Sequence, residues 1–453
     1  YPMSWKPCLK KTNTPIYIEL ATQLKEDILN GKLIPGTKLP PQRELADYLD
    51  INLSTITRAF KLCEQSGIIC STVGKGTYVA SDAASKKLLL LNTPSKHLIE
   101  MGAILPNPDI NALVSNYLSQ MTCEPDFYKL LQYGTVDYDD LQLKAACKWL
   151  NYFGLMPNKA QIVYCNGSQN GIFTTLAALF NKGDRIATTP LIYPGLKVAA
   201  KILGIQLLPL PLFDGKITSD SLDYVYRNHN IKGFYFIPDA NNPTSEIMDL
   251  KTRQFIGEFC TKYHLPVIED AIYTLFSPKP LPPITSFAPE YGIFISSVSK
   301  ILSPGLRLAI MHVPTQFYTP IWECLYAMHI TSPALMTQLF TRLLLSDHFT
   351  QIRTLRTQEL EERNLLFDKI CPNLETKGNI YSPIRWLTLP KDLHPALFEK
   401  QAYEKGLQVY SADRFVVVNT PIPNAIRLSL ISAHPLSEYE KGLKLLKELL
   451  AQL

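Results

Sequence analysis

The chain has 453 residues, with 45 Lys and Arg against 40 Asp and Glu and a net charge of +5. This length predicts two or three compact units with sizeable cores. A charge this small does not by itself diagnose a nucleic-acid binder, so any such role must rest on a local pattern. No apolar run approaches a membrane span, and Tyr1 to Pro7 lacks the apolar core of a signal peptide, so a cytoplasmic protein is expected. The nine cysteines stand singly, without a Cys-x-x-Cys pair or clustered histidines, which predicts reduced thiols and no structural metal.

From Pro15 onward, Leu20, Leu24 and Ile28 recur every fourth residue, one face of a helix stopped by Asn30-Gly31. Two short amphipathic segments follow. One carries Leu45, Ala46 and Leu49, the other Ile56, Ala59, Phe60 and Cys63, and Asp50-Ile-Asn-Leu separates them. That spacing predicts a helix-turn-helix. Ser54 is the expected N-cap of the second helix, whose other face offers Thr55, Thr57, Arg58 and Lys61 to solvent or to a groove. Beyond Gly67 an alternating strand, a Gly74-Lys75-Gly76 turn and Thr77-Tyr78-Val79 predict a hairpin. Its tip lets backbone approach a phosphate chain closely, with one cation at its end.

Over residues 14 to 80 this pattern resembles the winged-helix domain of the GntR family of transcription regulators. The matching runs are Leu39-Pro-Pro-Gln-Arg-Glu-Leu-Ala, Ser54-Thr-Ile-Thr-Arg-Ala-Phe and Gly74-Lys-Gly-Thr-Tyr-Val. The resemblance implies binding of double-stranded DNA at an operator through Arg43, Thr55, Arg58, Gly74, Lys75 and Gly76. The bland alternative leaves Arg43 and Arg58 on a solvated helix face. Pro41 stands where the family usually has a capping serine, and it suits a helix start because it has no N–H to leave unpaired. The first domain is thus expected over 1–80. Residues 81–98 read as a linker, partly docked through Leu88 to Leu91, that extended at ~3.3 Å per residue spans roughly 55 Å.

Residues 99–453 alternate strand-like runs with helical stretches. The strand-like runs begin at Gln161, Arg185, Gly233, Leu265 and Gly292. This predicts an α/β body with an open, mainly parallel sheet, in which ligands gather at the carboxyl ends of strands. The residues with chemical potential fall at those ends. Asn166-Gly-Ser-Gln opens a helix with N–H groups suited to a phosphate. Tyr193 can stack on a planar ring, Asn242 can donate to a ring oxygen, and Asp270 can keep a pyridine nitrogen protonated. Tyr273 can reach a ring hydroxyl. In Ser297-Val-Ser-Lys300, with Arg307 seven residues on, Lys300 is a candidate to attack an aldehyde, a role that needs an amine partly desolvated and held near cations so that a usable fraction is neutral. Pro304-Gly305 is expected to turn Arg307 back toward Ser297. Taken singly, Asp270 would cap the next segment, Asn242 serve its turn and Tyr193 fill core.

In order, these motifs resemble the fold-type I, aspartate aminotransferase-like enzymes that use pyridoxal 5'-phosphate (PLP), across most of residues 100 to 430. The resemblance implies a PLP site made of Tyr133, Ser168, Gln169, Tyr193, Asn242, Asp270, Tyr273, Ser297, Lys300 and Arg307. Lys300 would carry the cofactor as a Schiff base, and Tyr133 would reach the phosphate of a partner subunit's cofactor. Arg427, in Ala425-Ile-Arg-Leu-Ser, resembles the arginine that holds a substrate carboxylate, or else is a surface strand residue. The family's glycine after Asn-Pro-Thr is Ser245 here, and Ala309 replaces the glycine usual after the phosphate arginine. These departures put turnover in doubt more than binding.

A winged helix joined to such a body resembles the MocR-type subgroup of GntR regulators. The function this implies is a PLP-dependent, homodimeric transcription regulator that senses a small amine or amino acid, or PLP itself, through aldimine chemistry at Lys300. The alternatives are an active aminotransferase with an accessory DNA-binding domain, and a regulator whose body has lost PLP.

Overall fold

The computed structural model describes residues 3–7, 14–29, 32–33, 36–65, 68–72, 76–80, 97–134, 137–391, 393–417 and 420–451. Three helices, α1 (Ile16–Leu29), α2 (Gln42–Leu49) and α3 (Leu53–Gln65), precede a two-stranded antiparallel hairpin of β1 (Ile69–Thr72) and β2 (Gly76–Val79). Leu20, Leu24 and Ile28 of α1 are buried as the four-residue spacing predicts. They share one core with Leu45, Ala46, Ile56, Ala59, Phe60 and Cys63, which Ile69 and Val79 close from the wing. Trp5 also enters this core, and its indole N–H donates to Asp27 Oδ2 at 3.0 Å. Helix α3 begins two residues earlier than expected. The Thr55 N–H donates to the carbonyl of Asn52 at 2.9 Å, so Asn52 stands at the helix start and Ser54 lies inside the first turn. Asn30-Gly31, Gly74, Lys75 and Leu88 to Leu91 of the linker lie outside the described residues.

The body opens with β3 (Ile99–Glu100). Its main sheet joins β4 (Ile162–Cys165), β5 (Arg185–Thr188), β6 (Gln206–Pro209), β7 (Gly233–Phe236), β8 (Val267–Asp270), β9 (Gly292–Ser297) and β10 (Ala309–His312) in the order β4-β10-β9-β8-β7-β5-β6. Every pairing is parallel except the two made by β10. Strands β4, β7, β8 and β9 are buried at every position, as strands covered by helices on both faces must be. Sequence periodicity does not find β6 or β10. The run through Leu207, Leu208, Pro209 and Leu210 has no alternation and holds a proline, which an edge strand tolerates. Strand β10 follows directly on the loop that carries Arg307 and pairs back on both β9 and β4.

A second, smaller sheet of β11 (Thr376–Lys377), β12 (Ile384–Thr388), β14 (Tyr410–Ser411) and β15 (Ala425–Ser429) lies in the C-terminal part, and β13 (Leu407–Gln408) pairs with β3. Met101, next to β3, is buried in the same core as Phe367, Leu387, Phe398, Leu428 and Leu443. The chain's entry into the body therefore packs with its C-terminal subdomain. No helix among the described residues is long and apolar enough to cross a membrane.

Candidate functional site

Because β10 runs against both neighbours, β4 and β9 point the same way as β5, β7 and β8, and their carboxyl ends share one edge. Loops leaving that edge carry the candidate residues. After β4, Gly167 adopts φ +90°, a left-handed conformation that costs glycine little, and the helix Ser168–Leu179 begins. A Cβ on Gly167 would stand 2.4 Å from Arg307 Nη2, so the glycine is what lets the arginine lie across this helix start. After β5, the ring of Tyr193 packs against Gly195, where a Cβ would come within 2.3 Å of it and 2.2 Å of Gln169 Oε1. Gln169 Nε2 donates to the Gly195 carbonyl at 3.0 Å, which ties the two loops together.

Asn242 is buried in the loop after β7. Its amide donates to Tyr273 Oη at 3.4 Å, and its Oδ1 accepts from Arg427 Nη1 at 2.7 Å. Asp270 closes β8 in full burial, and Tyr235 of the adjacent strand donates to its Oδ2 at 2.9 Å. Burial pushes the Asp270 carboxyl up to about 7, against the opposing effect of the Tyr235 hydrogen bond. Burial, reinforced by Asp270, likewise lifts the Tyr193 phenol to about 12.

Lys300 sits half-buried beyond β9. Desolvation, then the Arg427 and Arg307 charges, bring its ammonium down to about 8. Its Nζ donates to the Ile104 carbonyl. Arg427, on β15, is wholly buried between the rings of Phe415 at 4.8 Å and Tyr410 at 5.3 Å, and its Nη2 donates to the Gly102 carbonyl. Arg427 is thus no surface strand residue.

Arg307 is turned back toward Ser297, with Ser299 linking the two. Ser297 Oγ donates to Ser299 Oγ at 2.9 Å, and it is Ser299 Oγ that accepts from Arg307 Nη1 at 3.5 Å. Arg307 adopts φ +46°, and its guanidinium lies against the turn at Gly167. Tyr133 is not brought to this site by its own chain. It is 78% exposed, beside Gly134, whose N–H donates to Thr331 Oγ1 at 3.1 Å. Ser245 keeps the conformation that a glycine would favour, φ +62°, with its hydroxyl donating to the Ile384 carbonyl at 2.9 Å. Tyr235 and Ser299 were not singled out in the sequence. Tyr235 is the one hydroxyl in the run Gly-Phe-Tyr-Phe-Ile, the only signal that could have drawn attention to it.

Several polar atoms around this edge are buried without a partner: Asn166 Oδ1, Ser168 Oγ, Gln169 Oε1, Asp270 Oδ1 and Arg427 Nε. Buried polar groups are rarely left so. A phosphate at the Gly167–Ser168 turn would accept from Ser168 Oγ, and a protonated pyridine nitrogen would donate to Asp270 Oδ1. The residues present therefore fit PLP. Among the described residues, no group of three or more His, Cys, Asp or Glu could hold a metal.

On the DNA-reading side, Arg43 and Arg58 are exposed, Thr55 is half-buried and Gly76 is exposed at the start of β2. The Arg58 guanidinium lies over the Tyr17 ring at 5.9 Å, which holds it on the outer face of α3. Thr57 Oγ1 donates to Gln42 Oε1 at 2.8 Å, fixing α3 against α2.

These features define a class: a winged-helix unit carried on a fold-type I aminotransferase-like body. Residues 114–446 match the model of the class I and II aminotransferases, and residues 16–79 match that of the bacterial regulatory proteins of the gntR family. The HTH-type transcriptional regulator YdeF of Bacillus subtilis is 44% identical over 453 residues, covering 100% of this chain and 98% of that protein. The vitamin B6 salvage pathway transcriptional repressor PtsJ of Salmonella typhimurium is 24% identical, covering 65% of this chain and 66% of its own length. Among solved structures, LysN, the alpha-aminoadipate aminotransferase of Thermus thermophilus complexed with N-(5'-phosphopyridoxyl)-L-leucine, superposes with a TM-score of 0.70. It is 21% identical and covers 82% of this chain and 95% of that one. The chain belongs to the GntR-family transcription regulators of the MocR type, with an aminotransferase class I and II domain. It is a transcription regulator whose family membership implies binding of DNA and of PLP.

Proposed function

We propose that this regulator senses a small amine or amino acid through aldimine chemistry at Lys300, with PLP as the resident cofactor. PLP supplies an aldehyde that amines exchange on and a ring that withdraws electrons. The observation that carries the reading is the convergence of a lysine brought down to about 8 with the unpartnered Ser168 Oγ and Asp270 Oδ1 on one strand edge.

Each residue has a role in this reading. Ser168, the helix N-terminus behind it, Ser299 and Arg307 hold the phosphate, with Ser297 positioning Ser299. Gln169 holds the Gly195 loop, so that Tyr193 keeps its place against one ring face. Asp270, itself oriented by Tyr235, holds the pyridine nitrogen, and Asn242 and Tyr273 hold the ring hydroxyl. Lys300 provides the amine that the effector's amine replaces. Arg427, oriented by Asn242 and by the rings of Phe415 and Tyr410, pairs with the effector's carboxylate as a fork. Exposed Tyr133 is available to a second copy of the chain, which makes a homodimer the working assembly. Arg43, Thr55, Arg58 and the Gly74–Gly76 wing contact the operator.

The test is the absorbance spectrum of the purified full chain with PLP, before and after a panel of amino acids, repeated on Lys300→Ala. A visible-edge band absent from the variant, and a stable shift with one amino acid, support the reading. Slow conversion to the amine form with release of an oxoacid supports an aminotransferase instead. No band in either protein removes the cofactor.

A further inference from the structure

The first stretch of the body after the linker lies across the candidate site. Strand β3 is held by the Ile99 N–H on the Gly406 carbonyl (2.8 Å), and the Met101 N–H donates to the Gln408 carbonyl (3.0 Å). Past β3 the chain turns sharply, because Glu100 Oε1 accepts both the Gly102 and the Ala103 N–H at 2.7 Å. This turn admits only glycine at 102, where a Cβ would meet the Tyr410 ring at 2.7 Å. It also aims three successive carbonyls at side chains: Gly102 accepts from Arg427 Nη2, Ala103 from Ser432 Oγ and Ile104 from Lys300 Nζ. Ser432 Oγ in turn accepts the Leu105 N–H at 3.0 Å, and Arg356 Nη2 donates to the Asn107 carbonyl at 2.9 Å.

Two of these donors belong to the site proposed above: Lys300, the amine that PLP takes, and Arg427, the fork that pairs with the effector's carboxylate. We propose that residues 101–105 form a strap whose Ile104 carbonyl holds the Lys300 amine until PLP takes it and whose Gly102 carbonyl stands in for the effector's carboxylate on Arg427, so that effector binding to the PLP-loaded protein completes the undocking of the strap and pulls on the chain leading to the DNA-reading unit. This deepens the function proposed above and rests on it. A carboxylate pairs with the Arg427 fork through two N–H donors and opposite charge, whereas the Gly102 carbonyl takes one N–H and carries no charge, so the effector displaces the strap rather than the reverse. The strap is a short stretch of chain away from the linker, and a ligand can shift an equilibrium only through such a difference in contacts between two states.

The test is hydrogen exchange on the full chain, followed in fragments spanning residues 98–106. It is run without ligand, with PLP alone and with N-(5'-phosphopyridoxyl)-L-alanine, a stable probe carrying both the cofactor and a carboxylate. The conjugate is expected to lower protection of the Gly102, Ala103 and Leu105 amides about tenfold or more, and PLP alone to lower it less, because Arg427 then keeps its carbonyl. Glu100→Gln, which loosens the turn, is expected to show low protection without ligand and to bind the conjugate several-fold more tightly, with an unaltered PLP band. Ser432→Ala serves the same purpose should the first variant fold poorly. Conjugate binding that leaves the protection unchanged or raises it overturns the strap alone. Failure of the wild type to bind either ligand overturns the cofactor reading and the strap with it.

Discussion

The pH dependence of PLP capture follows from the setting of Lys300. Only the neutral amine attacks an aldehyde. At an ordinary 10.5 the neutral fraction at pH 7 is roughly 0.03%; at about 8 it is roughly 10%, a gain of about 300-fold. The cause is first desolvation and then the charges of Arg427 and Arg307. The rate of appearance of the lysine-bound band after mixing with PLP should therefore rise about tenfold between pH 6 and 7, rise less steeply to pH 8, and level off by pH 9. Arg427→Gln removes one of the two cationic neighbours, so its plateau should move to higher pH. A rate that still climbs tenfold per unit between pH 8 and 9 in the wild type would refute the desolvated-amine argument.

Asp270 has a raised carboxyl pKa, so its contribution to the stability of the ligand-free fold is complete below about pH 4 and is lost as pH rises through about 7. Asp270→Asn should therefore unfold at higher denaturant than wild type at pH 8, by on the order of 2 kcal/mol, and near the wild-type midpoint at pH 4. With saturating PLP the order should reverse, and a variant that binds PLP as well as wild type would count against the role given to Asp270. Gly167→Ala places a Cβ 2.4 Å from Arg307 Nη2 at φ +90°. It should weaken PLP binding by about tenfold or more while far-ultraviolet circular dichroism is kept. Arg253 is fully buried, donates to Asp239 at 2.6 Å and to the Met248 and Pro238 carbonyls, and so ties down the loop that leads to Asn242. Arg253→Met leaves Asp239 without its cation, with only the Thr274 hydroxyl still donating to it, and should cost about 3–5 kcal/mol in urea unfolding; a loss below 1 kcal/mol would show that the pair is dispensable.

Much of this architecture was legible in the residues because local and long-range signals agree. The four-residue spacing of Leu20, Leu24 and Ile28 and the Gly74-Lys-Gly hairpin are local, and the buried core and antiparallel β1–β2 pairing match them. Asn242, Asp270 and Lys300 were legible because each follows a continuous apolar strand, whose carboxyl end is where an open parallel sheet gathers its ligands. What was not legible depends on pairing across long stretches of chain. Strand β10 is defined by partners on both sides rather than by periodicity, and the link from Ser297 to Arg307 runs through Ser299, which the spacing alone does not mark. The contacts of Gly102 and Ile104 join residues separated by 325 and 196 positions, and they involve backbone carbonyls, which every residue has. Nothing in the side-chain pattern marks them.

The most direct test of the central claim couples the two ends of the chain. The full-length protein is loaded with PLP and titrated onto a DNA fragment selected by it from a random pool, at fixed salt, with and without the amino acid that shifts its absorbance. The account predicts a change in DNA affinity of about 5- to 150-fold, lost in Lys300→Ala and in Arg427→Gln and kept, with a smaller salt slope, in Lys61→Ala. An affinity that is the same with and without the amino acid, in a protein whose absorbance still shifts, would contradict it.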